Sequence, residues 1–339
     1  MTELRLDPLR RRWIVTGKRP SIPEDLDSGA LCAFCPGNER FTPKAICERH
    51  SMDGAWMSRV FPDRAPLFRV EEDLGRTGEG LFDRMNAVGA HEIVVETPRH
   101  GVTFAGLTDE EAASAIGLWR DRILDLKQDR RLRYVSVFKH QRGPQTGHEG
   151  HGHSQILATP IIPLLLEMEF RWSLFQFERK ERCLCCDMIE QEVRASKRVV
   201  DETGDFIALC PYASRAPYEL LILPRNHASA FERDVDEAGR VRALAEFLKM
   251  NLRRIEDISP ALQLIVHTEP NLAAPVPTQG WWKSVHEDFH WHIEITPHLD
   301  GGPPPLGAEG FYFNPISAEE AATVLRALNP SPGGGASEA

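Results

Sequence analysis

Eight cysteines and histidines of this chain fall into two sets of the same order. Cys32 and Cys35 are followed by His100 and His151, and Cys183 and Cys186 by His227 and His290. Zinc takes thiolates and imidazoles in fours, and structural sites commonly begin from a Cys-x-x-Cys knuckle. The spacing therefore predicts one tetrahedral Zn2+ per half, two per chain, each closed by four protein ligands and structural in role. Cys185 is an alternative ligand in the second set, and His91 is an alternative to His100. Cys47 and Cys210 read as core thiols.

Each His-x-His pair leaves one histidine over, His153 in the first half and His292 in the second. A neutral imidazole is a good nucleophile toward phosphorus, and its ordinary pKa leaves it largely neutral at pH 7. On a strand, His151, His153 and Gln155 share one face. That face suits in-line attack by His153 on an α-phosphorus, with Gln155 donating a hydrogen bond to the phosphoryl oxygens. Gln155 cannot deliver a proton, so the leaving group must be a good one, such as a sugar 1-phosphate. Group transfer is favoured over hydrolysis. His292 is the rival nucleophile, but its strand partner Glu294 would repel a phosphate.

The elements that must position these residues also occur twice. His91–His100 matches Tyr218–His227 as a strand ending near a histidine. Thr108-Asp-Glu-Glu111 reads as a capping box opening a helix through Ile116, Trp119, Ile123 and Leu126. Tyr134–Phe138 reads as a strand, and a Gly-rich loop from Arg142 to Gly150 leads to His151. In the second half the helical pattern spans Asp234 to Ile255, the strand Leu262 to His267, and a loop with Trp281 and Trp282 leads to His290. Trp281 and Trp282 read as interface packing, with a platform for base or sugar stacking as the alternative, and His267 as a core histidine able to serve as a spare metal ligand. Gly310–Pro315 reads as a strand, and Ser317-x-x-Glu320 opens a last helix. The predicted fold is α+β, with two duplicated units (residues 1–178 and 179–328), each a mainly antiparallel sheet with flanking helices. Residues 329–339 read as a disordered tail.

The 339-residue chain carries 42% hydrophobic residues and a formal net charge of −10. The hydrophobic content supports a substantial core. The charge argues against nonspecific nucleic-acid or anionic-membrane binding. No apolar run reaches the roughly 20 residues of a membrane span, and the charged N-terminus does not read as a signal peptide. Cysteines paired for metal fit a reducing cytoplasm.

At Asp7-Pro-x5-Trp13-Ile-Val, Cys32-x-x-Cys35, Phe61-Pro-Asp-Arg-Ala-Pro66, the two PR-containing strands, His151-x-His153-x-Gln155 and Gly310–Pro315, the chain resembles the galactose-1-phosphate uridylyltransferase family of the histidine-triad superfamily. That family includes an ADP-glucose phosphorylase-like branch, which the two-zinc arrangement resembles most. The resemblance implies histidine-triad-like units and a homodimer with sites near the subunit interface. It also implies a ping-pong reaction in which UDP-glucose leaves UMP on a histidine, here His153, and galactose 1-phosphate collects it. Gln155 maps onto the glutamine that steadies the intermediate. Substrate contacts are implied at Arg19, Asp63, Arg64, His140, Gln141, Gly147, His148 and Asn314.

Several substrate-contacting positions depart from the family pattern. Thr16-Gly-Lys-Arg19-Pro20 is shortened by one phosphate-binding arginine. The loop before His151 lacks the expected serine, His140 stands where asparagine is common, and Asn314-Pro315 replaces an acidic sugar reader. The expected function is a nucleotidyltransferase acting on a nucleoside diphosphate sugar and a hexose 1-phosphate. One alternative is an ADP-glucose or dinucleoside polyphosphate phosphorylase using inorganic phosphate, a small anion that Arg142 and His148 would suit. Another is a zinc-stabilised nucleotide-binding protein without turnover.

Overall fold

The computed structural model describes residues 2–17, 32–142, 150–236, 238–275, 283–299 and 311–328. Four short strands, β1 (Glu3–Asp7), β2 (Arg12–Thr16), β5 (Thr77–Glu79) and β6 (Phe82–Asn86), make a small sheet in the order β2-β1-β6-β5. The remaining strands make one ten-stranded sheet. They are β3 (Cys47–His50), β4 (Trp56–Pro62), β7 (Ala90–Val95), β8 (Tyr134–Arg142) and β9 (His153–Thr159), then β10 (Val199–Glu202), β11 (Phe206–Leu209), β12 (Leu220–Pro224), β13 (Ala261–His267) and β14 (His292–Pro297). Their order is β10-β11-β12-β14-β13-β8-β9-β7-β4-β3, and each neighbouring pair is antiparallel.

This order is two copies of one five-strand pattern meeting at the β13–β8 seam. In each copy a helix joins the third strand to the one at the seam: α1 (Asp109–Leu126) in the first half, and α5 (Ala238–Ile258) in the second. The other helices are α2 (Leu164–Lys180), α3 (Leu184–Ala195), α4 (Phe231–Asp234), α6 (Val285–Asp288) and α7 (Ala318–Ala327). The expected α+β duplication is thus present, fused into a single sheet. Among the described residues no helix is long and apolar enough to cross a membrane.

Local sequence explains the helix starts. Thr108 Oγ1 accepts from the Glu111 N–H (3.1 Å) while the Glu111 carboxylate accepts from the Thr108 N–H (2.8 Å), satisfying two end donors at once. Ser317 and Glu320 repeat the arrangement at α7. The 3.6-residue spacing of α1 places Ala112, Ala115, Ile116, Trp119 and Ile123 on one face. They pack with Leu244, Leu248 and Leu252 of α5 in the core above Val94, Val137, Ile156, Val266 and Ile293.

Three features differ from expectation. Residues 311–315 form no strand: Phe311, Tyr312 and Phe313 are exposed, and without a neighbouring ladder their β-propensity goes unused. The strand read at Tyr134–Phe138 continues to Arg142, because β13 pairs with it beyond the end of its β9 ladder. Helix α2, unread in the sequence, carries the expected 178/179 division in its last turn.

Candidate active site and metal centres

The faces of β9 divide the labour around His153. Ser154, Ile156 and Ala158 point toward α1, where the Trp119 indole N–H donates to Ser154 Oγ (2.7 Å). His153 and Gln155 sit opposite Val95 and Ile93 in the ladder. Val95 and Ile93 belong to the cluster of the Cys32 knuckle, which includes Phe34 and Phe61. The Phe34 ring meets the His153 ring edge-on at 5.4 Å.

His151 lies just before β9, buried, with Nε2 against the Thr97 carbonyl (2.7 Å) and Nδ1 at 3.5 Å from Cys32 Sγ and 3.7 Å from Cys35 Sγ. His100 Nδ1 is 3.6 Å from Cys35 Sγ. In the second half, His290 Nε2 faces the Pro224 carbonyl (3.0 Å), and its Nδ1 lies 3.8 and 3.6 Å from Cys183 and Cys186. His227 Nδ1 lies 3.5 Å from Cys186, with Nε2 on the His286 carbonyl (2.8 Å). In each set all four ligand atoms lie within 4.8 Å of one another.

These distances test the fit to zinc. Zn–S of about 2.3 Å and Zn–N of about 2.0–2.1 Å at a tetrahedral angle place sulfur and nitrogen about 3.6 Å apart. The observed separations bracket that value. Three of the four imidazoles turn the other nitrogen to a backbone carbonyl, which fixes the tautomer a metal requires. Burial also pushes the His151 pKa down to about 4, so the ring is neutral. The eight residues expected to hold metal are therefore brought together as two N2S2 groups that could each hold an ion. Cys185 packs against Ile189, Ile207, Leu209 and Leu223 and lies within hydrogen-bonding reach of Cys183, but it is not one of the four mutually close donors.

His153 turns Nδ1 to the His151 carbonyl (2.8 Å). A proton on Nδ1 leaves the lone pair of a neutral ring on Nε2, the tautomer a nucleophile needs. Gln155 is oriented by a residue the sequence reading assigned elsewhere. The Leu67 N–H points to His91 Nδ1 (3.5 Å), so His91 carries its proton on Nε2 and donates it to Gln155 Oε1 (3.0 Å). The Gln155 amide nitrogen is thereby turned outward as a donor. His91 is buried in this role rather than beside the metal ligands, with Asp63 Oδ2 3.5 Å from its Nε2. Periodicity could have found it, since position 91 shares a strand face with Ile93 and Val95.

The second half fills the matching face. His292 also turns Nδ1 to the carbonyl two residues back (His290, 3.0 Å). However, α2 lays Glu169 over it: Glu169 Oε2 is 3.0 Å from His267 Nδ1 and 3.9 Å from His292 Nε2. The His267 and His292 rings lie 4.5 Å apart, and Arg215 bridges Glu294 (2.8 Å) and Glu219 (2.6 Å). Burial pushes the His292 pKa down to about 4, whereas the Glu169 carboxylate outweighs burial at His267 and holds its pKa up. Glu169, His267, His292 and Glu294 form a third compact donor group. The sequence reading missed Glu169, which reaches this place only through the fold. Phe170, next to it, packs on Phe289 at 4.6 Å and anchors the helix there.

Not all expected substrate contacts gather at His153. Asp63 lies beside His91, and Arg64 is exposed on the adjoining turn. His140 lies near Phe138 (5.4 Å), its pKa lowered by partial desolvation of the ring and by the charges of His298 and Arg142. Gln141 points to the other face, donating to Glu256 (2.9 Å) and the Pro260 carbonyl (3.1 Å), because strand alternation puts it with Lys139 rather than with His140. Asn314 donates to the Ser214 carbonyl (3.2 Å) in the second half. Arg19, Gly147, His148, Trp281 and Trp282 lie outside the described residues, as does the 329–339 tail.

The chain is similar to known proteins over most of its length. The family described as galactose-1-phosphate uridyl transferase, N-terminal domain, matches residues 6–163. ADP-glucose phosphorylase of Arabidopsis thaliana is 26% identical over 96% of this chain and 93% of its own. Galactose-1-phosphate uridylyltransferase of Thermotoga maritima is 27% identical over 96% of this chain and 98% of its own. The crystal structure of an ADP-glucose phosphorylase from Arabidopsis thaliana with bound ADP-glucose superposes with a TM-score of 0.74 at 26% identity, covering 98% of this chain and 100% of that one. The chain is thus similar, over nearly its whole length, both to galactose-1-phosphate uridylyltransferases and to a phosphorylase.

Proposed function

We propose that this protein is a nucleotidyltransferase that cleaves a nucleoside diphosphate sugar and carries the nucleotidyl group on His153. In the first half-reaction the Nε2 lone pair of His153 attacks the α-phosphorus, and the P–O bond to the sugar 1-phosphate breaks with its electrons on that oxygen. In the second, a hexose 1-phosphate oxygen attacks the same phosphorus and frees the imidazole. The Gln155 amide holds the phosphoryl oxygens throughout. One observation carries the reading: of two histidines tethered alike through Nδ1, His153 stands partly exposed beside an outward amide, whereas His292 is buried under Glu169.

Two zinc ions would be held by Cys32, Cys35, His100 and His151, and by Cys183, Cys186, His227 and His290. Fully ligated by protein, they would supply rigidity rather than a reaction step. The reading takes residues 1–178 and 179–328 as the two histidine-triad-like units. It places the protein in the cytoplasm as a homodimer, acting on a nucleotide sugar and a sugar phosphate without nucleic-acid or membrane partners. A phosphorylase would share the first half-reaction and use inorganic phosphate as acceptor. The likeness to the Arabidopsis enzyme favours that second reading.

Intact mass at neutral pH, after incubation with UDP-glucose or ADP-glucose separately, tests the mechanism beside His153→Gly. An adduct from one donor, absent in the variant, is expected and identifies the base. An adduct that persists in His153→Gly would move the nucleophile elsewhere. Competition between phosphate and hexose 1-phosphates for the loaded enzyme then separates transferase from phosphorylase.

A further inference from the structure

We propose that Lys139 is a positioning residue for His153, holding the nucleophile strand where its sheet ladder has run out. The inference rests on His153 as the nucleophile. β8 and β9 pair from Tyr134↔Thr159 to Phe138↔Gln155, and beyond that point β8 continues on β13 alone. On the β7 side the Gly152 carbonyl accepts from the Glu96 N–H (3.1 Å), so the next carbonyl, that of His153, faces β8. The β8–β9 pairing ends before it, at Phe138↔Gln155. The Lys139 ammonium takes that place, donating to the His153 carbonyl (3.0 Å) and to Glu96 Oε2 (2.8 Å).

The pair is poorly explained as a device for stability. The Lys139 and Glu96 side chains are 3% and 0% exposed, and Glu96 Oε1 has no hydrogen-bond partner among the described residues. Two charges taken out of water and incompletely satisfied are commonly no better than an apolar pair of the same size.

The second half shows that this fold does without the pair. Phe138↔Gln155 in the first half matches Ile265↔Glu294 in the second, so Val266 stands where Lys139 does. Matching Ile93↔Gln155 to Leu221↔Glu294 puts Pro224 where Glu96 stands, and the residue between the paired histidines, Gly152 in the first half, is the fully buried Trp291. Glycine is required in the first half, because a Cβ at 152 would come within 2.6 Å of the Val102 carbonyl and 3.5 Å of Glu96 Oε2. Apolar packing therefore serves the half whose histidine is covered. The half whose histidine is open carries an ammonium bonded to the histidine's own carbonyl.

Lys139→Met alone would strand a buried carboxylate, so the decisive variants remove both charges: Lys139→Met with Glu96→Met, and Lys139→Val with Glu96→Leu, which makes both positions apolar as they are in the second half. The readouts are the single-turnover rate of nucleotidyl transfer to His153 and the donor concentration giving half that rate, with bound zinc and thermal midpoint measured alongside. We expect the rate at saturating donor to fall about 10- to 100-fold, with half-saturation within about twofold and zinc unchanged. A folded double variant reacting within about threefold of wild type would overturn the role, as would a rate loss matched by lost zinc or lost donor binding. Failure of the underlying reading looks different: wild type itself would form no adduct dependent on His153.

Discussion

Replacing Ser154 and Gln155 separately by alanine should damage the protein in two different ways, although the residues are neighbours. Ser154 Oγ accepts the Trp119 indole N–H at 2.7 Å, and both residues are fully buried. Ser154→Ala leaves that N–H without an acceptor in a site closed to water, at a cost of about 1–3 kcal/mol. Gln155 is only partly buried, and its partner His91 has Asp63 Oδ2 3.5 Å away as a second acceptor. Gln155→Ala should therefore cost no more than about 1 kcal/mol in stability. On the proposed mechanism it also removes the donor to the phosphoryl oxygens, and the rate should fall about 10²- to 10³-fold. Urea unfolding and single-turnover nucleotidyl transfer, measured on both variants, separate the effects. A Gln155→Ala enzyme reacting within about threefold of wild type would refute the assigned role. A Ser154→Ala enzyme of wild-type stability that is slowed more than tenfold would refute the separation of faces.

Three further outcomes follow from the same contacts. Cys35→Ser should reduce bound zinc from two per chain to one by metal analysis and lower the thermal midpoint; two retained zinc ions would place the first ion elsewhere. Trp291→Ala empties a fully buried site whose indole bonds Asp234 (2.9 Å), and should cost about 3–5 kcal/mol in denaturant unfolding. Burial raises the Glu256 pKa above the ordinary 4.5, so the folded state binds that proton more tightly than the unfolded chain. Its contribution is then present at or below pH 4.5 and is lost as pH rises through the folded value. The stability of Glu256→Gln relative to wild type should increase across that window and level off above it; a difference independent of pH would contradict the assignment.

What was legible in the sequence is what depends on local rules. The capping boxes at Thr108–Glu111 and Ser317–Glu320 involve residues three apart, and both formed as spaced. The metal groups were legible because the same ligand order occurs twice. Helix α2 was not. Leu165, Met168, Trp172 and Phe175 are exposed on it while Leu166 and Phe170 are buried, so apolar residues on both faces blur the period. Glu169, Lys139 and the orienting role of His91 depend on partners 98, 43 and 64 residues away in the chain, which no spacing rule reaches. The facing of Gln141 was not legible because the strand was read as ending at Phe138, so alternation was not carried on to it.

The seam between β8 and β13 bears on how the molecule can be taken apart. From Arg142↔Ala261 to Val137↔Val266, each half serves as the other's missing neighbour. Cutting the chain between α2 and α3 and separating the pieces would bare one unpaired strand edge on each. Such an edge recruits any strand it meets, including another copy of itself. The halves should accordingly recombine when expressed together from two plasmids and precipitate when expressed apart, like two sides of a zip fastener rather than two beads on a string.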